Sequence, residues 1–276
     1  MPIARYTLIV PTYNRPEDLG RLLRFLAFQE APFPVLVLDS SRPELHELNV
    51  AACRNPAVKV TLKRFDPAIP PWEKFSRGAE LVETEFASLC ADDDLVLVSG
   101  IRAVVDFLAE NADFSVAHGW YFSFYLRGAL GLTKIVYRSP TLGADDPIER
   151  LWHLFSNYEA VTYGVHRTEI LRKSLSLVQG VQSMLWRELL EGAVAAVSGK
   201  IARLPVLYAG RSLGPSGPYV DWHPIDFLIR SPQALLEDYM RYRKALLEHY
   251  RDCGHPSDGL EAMIHTGSFT RGSAPR

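Results

Sequence analysis

The segment around which this chain is organised reads Phe86-Ala-Ser-Leu-Cys-Ala-Asp92-Asp93-Asp94-Leu-Val-Leu-Val98. Its apolar beginning lacks glycine and proline and predicts a strand that is buried on both faces. Three adjacent carboxylates repel one another by about 1 kcal/mol per pair, and a hard cation such as Mg²⁺ or Mn²⁺ relieves such repulsion. Acidic residues also favour helix N-termini, so an alternative interpretation is that Asp94 caps a helix that runs toward Gly100.

Strand and helix patterns alternate through the first hundred residues. Apolar and β-branched runs predict strands, and apolar residues at three- and four-residue spacing predict the helices between them. The strands are expected over 6–12, 35–38, 58–65 and 86–91, and the helices over 16–29, 44–52 and 71–82. This order predicts an α/β fold with a Rossmann-like, mostly parallel central sheet flanked by helices.

Polar side chains follow each of the four predicted strands. The strand ends carry Thr12-Tyr13-Asn14, Asp39-Ser40-Ser41, Arg64 and Asp92-Asp93-Asp94. Open parallel sheets bind ligands outside the carboxyl ends of their strands. An aromatic face, hydrogen-bond acceptors, a cation and metal ligands at one edge suit a nucleoside diphosphate with its metal.

The second half of the chain has a less regular pattern. Helices are expected over 101–111, 145–156, 166–177, 181–197 and 231–250, and strands over 114–126 and 202–208. Gly199 and Lys200 are expected to close the helix before them. Glycine and proline predict a loop over 210–222 that covers a ligand, and the last dozen residues are expected to be disordered.

Composition limits the possible partners. The chain has 276 residues, of which 47% are hydrophobic and 22% charged, with a formal net charge of −2. Such a chain has no general attraction for nucleic acid. Its three widely spaced cysteines argue against a disulfide framework or a zinc site. Without an apolar run of about 18 residues or a signal-peptide pattern, we expect no transmembrane segment and a cytoplasmic protein, free or peripheral at the inner face of the membrane.

Three of these motifs resemble the family 2 glycosyltransferases with the GT-A fold. They are Leu8-Ile-Val-Pro-Thr-Tyr-Asn-Arg-Pro16, Leu36-Val-Leu-Asp39-Ser40-Ser41 and the aspartate cluster, which looks like the DxD motif of that fold. The resemblance covers roughly residues 5–211, and Trp186-Arg-Glu188-Leu-Leu is similar to a bacterial subgroup. It implies a glycosyltransferase domain over 1–212, with a nucleotide-binding half (1–112) and an acceptor half (113–212). A loop, a C-terminal helix and a flexible tail follow over 213–276.

By this resemblance, the strand ends hold a nucleoside-diphosphate sugar, with UDP as the expected nucleotide. The residues expected at the base and ribose are Pro11, Thr12, Tyr13 and Asp39. The cations expected toward the diphosphate are Lys74 or Arg77, with Arg64 at its own strand end. The usual Asn-x-Gly-x-Ala-Arg-Asn segment of the family is replaced by Lys74-Phe-Ser-Arg77-Gly78-Ala-Glu80, so Lys74 and Arg77 stay alternatives.

The resemblance also implies a metal-dependent transfer. Asp94, or Asp93 if the register differs by one, ligates Mn²⁺ or Mg²⁺, and Asp92 contacts the ribose or metal-bound water. Transfer to a glycan, lipid or other hydroxyl acceptor with inversion needs one carboxylate base. The chain lacks the Glu-Asp pair common on the acceptor side, and Glu188 is the first candidate, followed by Glu191 and Asp145. The alternative for Glu188 is a surface charge.

Other interpretations stay open at this point. Arg211 is either a phosphate ligand or a solvated strand end, and His118 and His166 are expected in the core. A sugar nucleotidyltransferase is a rival function, although Asn14-Arg15-Pro16 is not its glycine-rich loop. The second rival is a catalytically silent sugar-nucleotide-binding module. A homodimer through the helix at 231–250 is a further expectation.

Overall fold

The computed structural model describes residues 2–54, 57–127, 129–136, 140–213, 229 and 231–265. The predicted loop at 210–222 therefore lies outside the described residues from 214 onward, and so does the predicted tail beyond residue 265. The predicted division into a domain over 1–212 and a loop, helix and tail over 213–276 stays a prediction.

Helices and strands alternate along the described chain. The helices are α1 (Pro16–Phe28), α2 (Pro43–Cys53), α3 (Pro71–Ala79), α4 (Val98–Glu110), α5 (Pro147–Ser156), α6 (Thr168–Leu177), α7 (Met184–Ser198), α8 (Pro232–Asp252) and α9 (Asp258–His265). The strands are β1 (Tyr6–Thr12), β2 (Val35–Asp39), β3 (Val60–Arg64), β4 (Phe86–Leu89), β5 (Leu95–Val96), β6 (Phe114–Arg127), β7 (Ala129–Val136), β8 (Val165–Arg167) and β9 (Lys200–Ser212).

The first four strands form a parallel sheet in the order β3-β2-β1-β4. The chain moves outward from β1 to β3 and then crosses back to β4 on the other side of β1. Right-handed crossovers in opposite directions put the connecting helices on opposite faces of the sheet. The strand order therefore reverses between β1 and β4, and a crevice opens at such a point beyond the strand ends.

The sheet continues from β4 through β8, β6 and β9 to β5, and β7 pairs with the far end of β6. β8 is antiparallel to both of its neighbours, and β9 runs parallel to β6. Residues 90–94 link β4 directly to β5, although three strands separate the two in the sheet. This connection contains a turn in which the Asp94 N–H donates to the Ala91 carbonyl over 3.1 Å, so it spans less than the roughly 19 Å of four strand spacings in a flat sheet. The sheet therefore curls so that β5 returns toward β4.

Alternation along the central strands divides the core into two layers. Ile9, Leu36 and Leu38 face the layer beneath α3, α6, α7 and α8, whereas Leu8 and Val10 face the layer beneath α1 and α4. This division follows from the two-residue period of strand side chains. The fold is the predicted mixed α/β architecture, with a curled and mostly parallel sheet flanked by helices.

The structure corrects several details of the predicted elements. β5 and β7 were not predicted, and Asp94 caps no helix because α4 begins only at Val98. His166 lies in β8 rather than at a helix start. Lys200 begins β9, and its ammonium group pairs with Asp113 and Asp145 over 3.0 and 2.7 Å. β9 extends to Ser212, into the segment predicted as a loop.

The long helix α8, which was predicted near the C-terminus, is part of the main core. Ser231 caps it, since its hydroxyl accepts a hydrogen bond from the Ala234 N–H. The buried carboxylate of Asp238 accepts hydrogen bonds from the backbone N–H groups of Gln182 and Ser183, at the start of α7. The apolar residues Tyr242, Leu246, Leu247 and Tyr250 of α8 are buried in the core. Much of the apolar face of α8 is therefore used within the chain, and the homodimer stays a prediction. Among the described helices, none is long and apolar enough to cross a lipid bilayer.

Candidate active site

A cavity of about 220 Å³ lies beyond the ends of β1 and β4, at the switch point, where the strand order of the sheet reverses. The β1 end and the residues that follow β4 form one wall, and α3 and the segment before β8 form the others. The lining residues are Pro11, Thr12, Tyr13, Arg15, Pro71, Lys74, Phe75, Leu89, Ala91, Asp92, Thr162 and Tyr163. The structure thus brings together Pro11, Thr12, Tyr13, Lys74 and Asp92 of the residues predicted from the sequence.

Asp92 connects β1 to the end of β4. The Thr12 hydroxyl donates to its Oδ2 atom over 2.7 Å, and Arg15 donates to its Oδ1 atom over 3.3 Å. Arg15 also pairs with Asp93 over 3.1 Å, where both groups are partly exposed. Burial raises the pKa of Asp92 to about 6, against the opposing effects of Thr12 and Arg15. At neutral pH, Asp92 is a carboxylate that is held on both oxygens.

Asp94 belongs to a different part of the sheet. Its Oδ1 atom accepts a hydrogen bond from the Ser212 N–H over 2.8 Å, and its Oδ2 atom pairs with Nε of Arg211 over 3.0 Å. Burial raises the pKa of Asp94 to about 6, although Arg211 and Ser212 act to lower it. The guanidinium of Arg211 lies 4.5 Å above the ring of Tyr163, which lines the cavity.

Lys74 is the cation of α3 that faces the cavity. Its ammonium group donates to the Thr12 carbonyl over 2.9 Å and to the Ser40 hydroxyl over 2.8 Å, and so joins the ends of β1 and β2. Burial lowers the pKa of Lys74 to about 8. Arg77 is exposed on another side of the helix and pairs with Glu73. Of the two alternatives for the diphosphate contact, the structure has only Lys74 at the cavity.

Asp39 and Arg64 are not part of the cavity wall. Asp39 is fully buried, and its carboxylate accepts from the Ser41 N–H over 2.8 Å and contacts Nδ1 of His46 over 2.7 Å. Burial acts to raise the pKa of Asp39, but hydrogen bonds from Ser41 and His46 outweigh it and lower the pKa. Contact between Asp39 and a nucleobase would require these bonds to open. Arg64 is exposed at the end of β3.

The two acidic candidates on α7 differ in their environment. Glu191 is fully buried, and its Oε2 atom accepts a hydrogen bond from the Thr162 hydroxyl over 2.8 Å. Burial raises the pKa of Glu191 to about 8, so the group keeps its proton at neutral pH. Glu188 is half-buried, and its Oε2 atom accepts from the Tyr158 hydroxyl over 3.5 Å. Asp145 is exposed beside Lys200.

Of the lining residues that were not predicted from the sequence, three have polar side chains, namely Arg15, Thr162 and Tyr163. Thr162 and Tyr163 lie in an irregular segment that has no periodic pattern. Arg15 belongs to the motif at residues 8–16, yet only the tertiary structure shows that it pairs with Asp92 and Asp93. His118 and His166 are buried, as expected, and burial lowers the pKa of each to about 4, so both are neutral core residues.

The carboxylates do not fit a divalent cation as they are arranged. Both oxygens of Asp92 and both oxygens of Asp94 already hold protein donors, two of which are guanidinium groups. Within the described part of the chain, no group of three or more histidine, cysteine, aspartate or glutamate side chains is arranged to hold a metal ion. A metal at Asp94 would first have to displace Arg211.

The curled sheet, its flanking helices and the cavity at the switch point define the GT-A type of fold, which occurs in glycosyltransferases. The chain is similar to S. aureus TarS 1-349 in complex with UDP-GlcNAc, with a TM-score of 0.58 and 15% identity over 94% of this chain and 76% of that one. The mannosyltransferase PcManGT from Pyrobaculum calidifontis, in complex with GDP-Man and Mn²⁺, gives a TM-score of 0.53 and 14% identity over 95% and 76% of the two chains. No protein-family model and no curated protein sequence matches the chain.

Proposed function

We propose that this protein is a glycosyltransferase that moves a hexosyl group from a nucleoside-diphosphate sugar to a hydroxyl of a glycan or lipid-linked acceptor. The observation that carries the proposal is the cavity at the switch point of a GT-A fold, lined by an aromatic ring, a buried carboxylate and two cations. Structures of the same fold hold UDP-GlcNAc and GDP-Man. UDP is the nucleotide that we propose for the donor.

On the donor side, the proposed contacts follow from the chemistry of the cavity wall. Tyr13 is half-exposed and offers a ring face for the nucleobase beside Pro11. Asp92 offers a carboxylate that can accept from a ribose hydroxyl. Lys74 and Arg15 supply the positive charge that attracts a diphosphate, and a preorganised charge stabilises the leaving group as its negative charge grows.

On the acceptor side, we propose Glu188 as the general base. The acceptor oxygen forms a bond to the anomeric carbon, its proton passes to Glu188, and the carbon–oxygen bond to the diphosphate breaks with its electron pair on the phosphate oxygen. A single displacement of this kind inverts the anomeric configuration. Glu191 cannot take this role near neutral pH because burial keeps it protonated, with a pKa of about 8. Its proposed role is to hold Thr162 at the cavity wall.

The expected Mn²⁺ or Mg²⁺ has support from the Mn²⁺ that is bound to the mannosyltransferase PcManGT. In this chain, the carboxylates of Asp92 and Asp94 already pair with Arg15 and Arg211, which argues against that ion. None of the proposed contacts or bond changes depends on it. The experiments therefore include conditions with and without a divalent metal.

The first test is thermal unfolding with a panel of nucleoside diphosphates, each with Mn²⁺ and with EDTA. A ligand at about 100 times its dissociation constant adds roughly 2.7 kcal/mol, which raises the unfolding temperature by several degrees. A shift with one diphosphate supports the donor site and identifies its base. No shift with any diphosphate, in either condition, contradicts the proposal.

The second test separates the rival functions. A transferase releases the nucleoside diphosphate from its sugar nucleotide when an acceptor hydroxyl is supplied. A silent binding module binds the same donor without release, and a nucleotidyltransferase forms pyrophosphate from a nucleoside triphosphate and a sugar phosphate. Measuring both products with the same protein preparation distinguishes the three.

A further inference from the structure

We propose that the guanidinium of Arg211 takes the place of a divalent cation at Asp94, so that this protein binds its donor diphosphate without Mg²⁺ or Mn²⁺. The inference rests on the proposed function and concerns the same site. It begins from a disagreement between the sequence and the structure. The aspartate cluster predicts a metal, but the atoms that would bind the metal are already bound to arginine and to backbone.

The position of Arg211 is fixed from two directions. Its Nε atom lies 3.0 Å from Oδ2 of Asp94, and Asp94 is itself held by the Ser212 N–H over 2.8 Å. The planar guanidinium lies 4.5 Å above the Tyr163 ring, an arrangement that favours a cation over an aromatic face. Tyr163 lines the cavity, so the charge of Arg211 is held at its edge.

Each carboxylate of the aspartate cluster has a guanidinium partner without a metal. Asp92, Asp93 and Asp94 carry three negative charges, and Arg15 and Arg211 pair with all three of them. Two guanidinium groups together carry the same charge as one divalent ion. The repulsion between adjacent carboxylates, from which the metal was predicted, is thus relieved by the protein itself.

Arginine is also suited to the chemistry of the step. A guanidinium stays charged at all physiological pH values and matches phosphate oxygens with several N–H donors. When the bond between the anomeric carbon and the diphosphate oxygen breaks, the electron pair moves to the diphosphate. A fixed cation beside the cavity stabilises that added charge, as a bound metal would.

The test compares nucleotide binding with and without a divalent ion. Isothermal calorimetry measures the dissociation constant of UDP, or of the diphosphate selected by the thermal panel, in EDTA and in Mn²⁺. The wild-type constants are expected to agree within about twofold. Arg211→Ala is expected to bind at least about tenfold more weakly in EDTA, the typical loss of one charged hydrogen bond. Mn²⁺ should restore much of this loss, because Asp94 is then able to bind the ion.

Two further variants make the comparison specific. Arg211→Lys keeps the positive charge and should bind more tightly in EDTA than Arg211→Ala. Arg251→Ala removes an exposed arginine near the end of α8 that pairs with Glu261, and it should bind like the wild type. The wild-type comparison in EDTA and Mn²⁺ tests the inference even where a variant of Arg211 fails to fold.

The contrary outcomes are distinct. Wild-type binding that requires Mn²⁺ overturns the role of Arg211 and leaves the proposed function in place. Unchanged binding by Arg211→Ala in EDTA overturns it as well. The absence of any diphosphate binding, with or without Mn²⁺, contradicts the proposed function and the inference together.

Discussion

The hydroxyl of Thr162 donates a hydrogen bond over 2.8 Å to Oε2 of Glu191, and so ties the cavity wall to a buried carboxyl group on α7. The other oxygen of Glu191, Oε1, has no hydrogen-bond partner among the described residues. A fully buried carboxyl group that receives one hydrogen bond favours its protonated form, because burial penalises the charge.

This burial predicts a specific pH dependence of stability. Burial raises the pKa of Glu191 from 4.5 to about 8. Between these values the folded state keeps a proton that the unfolded state releases, so stability falls as pH rises through this range. In Glu191→Gln this contribution is absent. The free energy of unfolding, measured in urea at pH 5.5 and pH 8, should fall less in the variant than in the wild type.

Glu149→Gln is the matched control for this experiment, since Glu149 is exposed on α5. Its pH dependence should follow that of the wild type. If Glu191→Gln loses as much stability between the two pH values as the wild type, the raised pKa of Glu191 is contradicted.

Glu188→Gln should separate catalysis from donor binding. The amide preserves the size of the side chain but cannot accept the acceptor proton, so transfer should slow at least about a hundredfold. The dissociation constant of the donor should stay unchanged, and Glu248→Gln, on the surface of α8, should transfer at the wild-type rate. Rates of nucleotide release and calorimetric donor binding measure the two quantities. Normal transfer by Glu188→Gln would remove the base assignment and leave the fold untouched.

Donor binding should weaken in alkaline solution because of Lys74. Burial lowers the pKa of Lys74 to about 8, so its positive charge is lost as pH rises through that value. Lys74→Met keeps a similar length without the charge, and it should bind the diphosphate about tenfold more weakly at pH 7. The affinity of the wild type for the diphosphate, measured by titration calorimetry, should fall between pH 7 and pH 9. The affinity of Lys74→Met should not fall over this range. Lys63 lies on the exposed side of β3, and the affinity of Lys63→Met should fall with pH as that of the wild type does.

Gly100 should be intolerant of a side chain. A Cβ atom at this position of α4 would lie 2.3 Å from the Leu207 carbonyl oxygen of β9, where only backbone movement could relieve the contact. We expect Gly100→Ala to lower stability by about 1–3 kcal/mol, in the range of overpacked cores. Gly180→Ala is the control, since nothing lies within 4 Å of its added Cβ atom. Equal unfolding temperatures for the two variants would contradict the close approach of α4 and β9.

The first half of the fold could be predicted because its signals are local. Short apolar strands and amphipathic helices alternate along the chain, and parallel sheets put strand ends at one edge. Thr12, Lys74 and Asp92 meet at the cavity for this reason. The strand β5 could not be predicted, since its two residues have meaning only through pairing with Ala209 and Gly210, far along the chain.

The rest of the candidate site depends on tertiary contacts that no local pattern encodes. The sequence offers Glu191 only as a further candidate for the base, and it does not show that the packing of α7 buries this side chain completely. Arg211 could be interpreted as a phosphate ligand or a solvated strand end, and the structure shows a third arrangement with Asp94. That pairing joins residues more than a hundred positions apart, as does the neighbouring bond from the Ser212 N–H, 118 positions from Asp94.

The aspartate segment also limits how this chain can change in length. Asp92 is bonded to Thr12 on β1, and Asp94 to Ser212 on β9, with a single residue between them. Asp92 and Asp93 lie in a turn in which the Asp94 N–H donates to the Ala91 carbonyl over 3.1 Å, so a one-residue insertion or deletion here would alter the turn and move one carboxylate away from its partner. Substitution of Asp93, whose side chain is partly exposed, leaves this spacing intact. The segment therefore tolerates a substitution at Asp93 more readily than an insertion or a deletion.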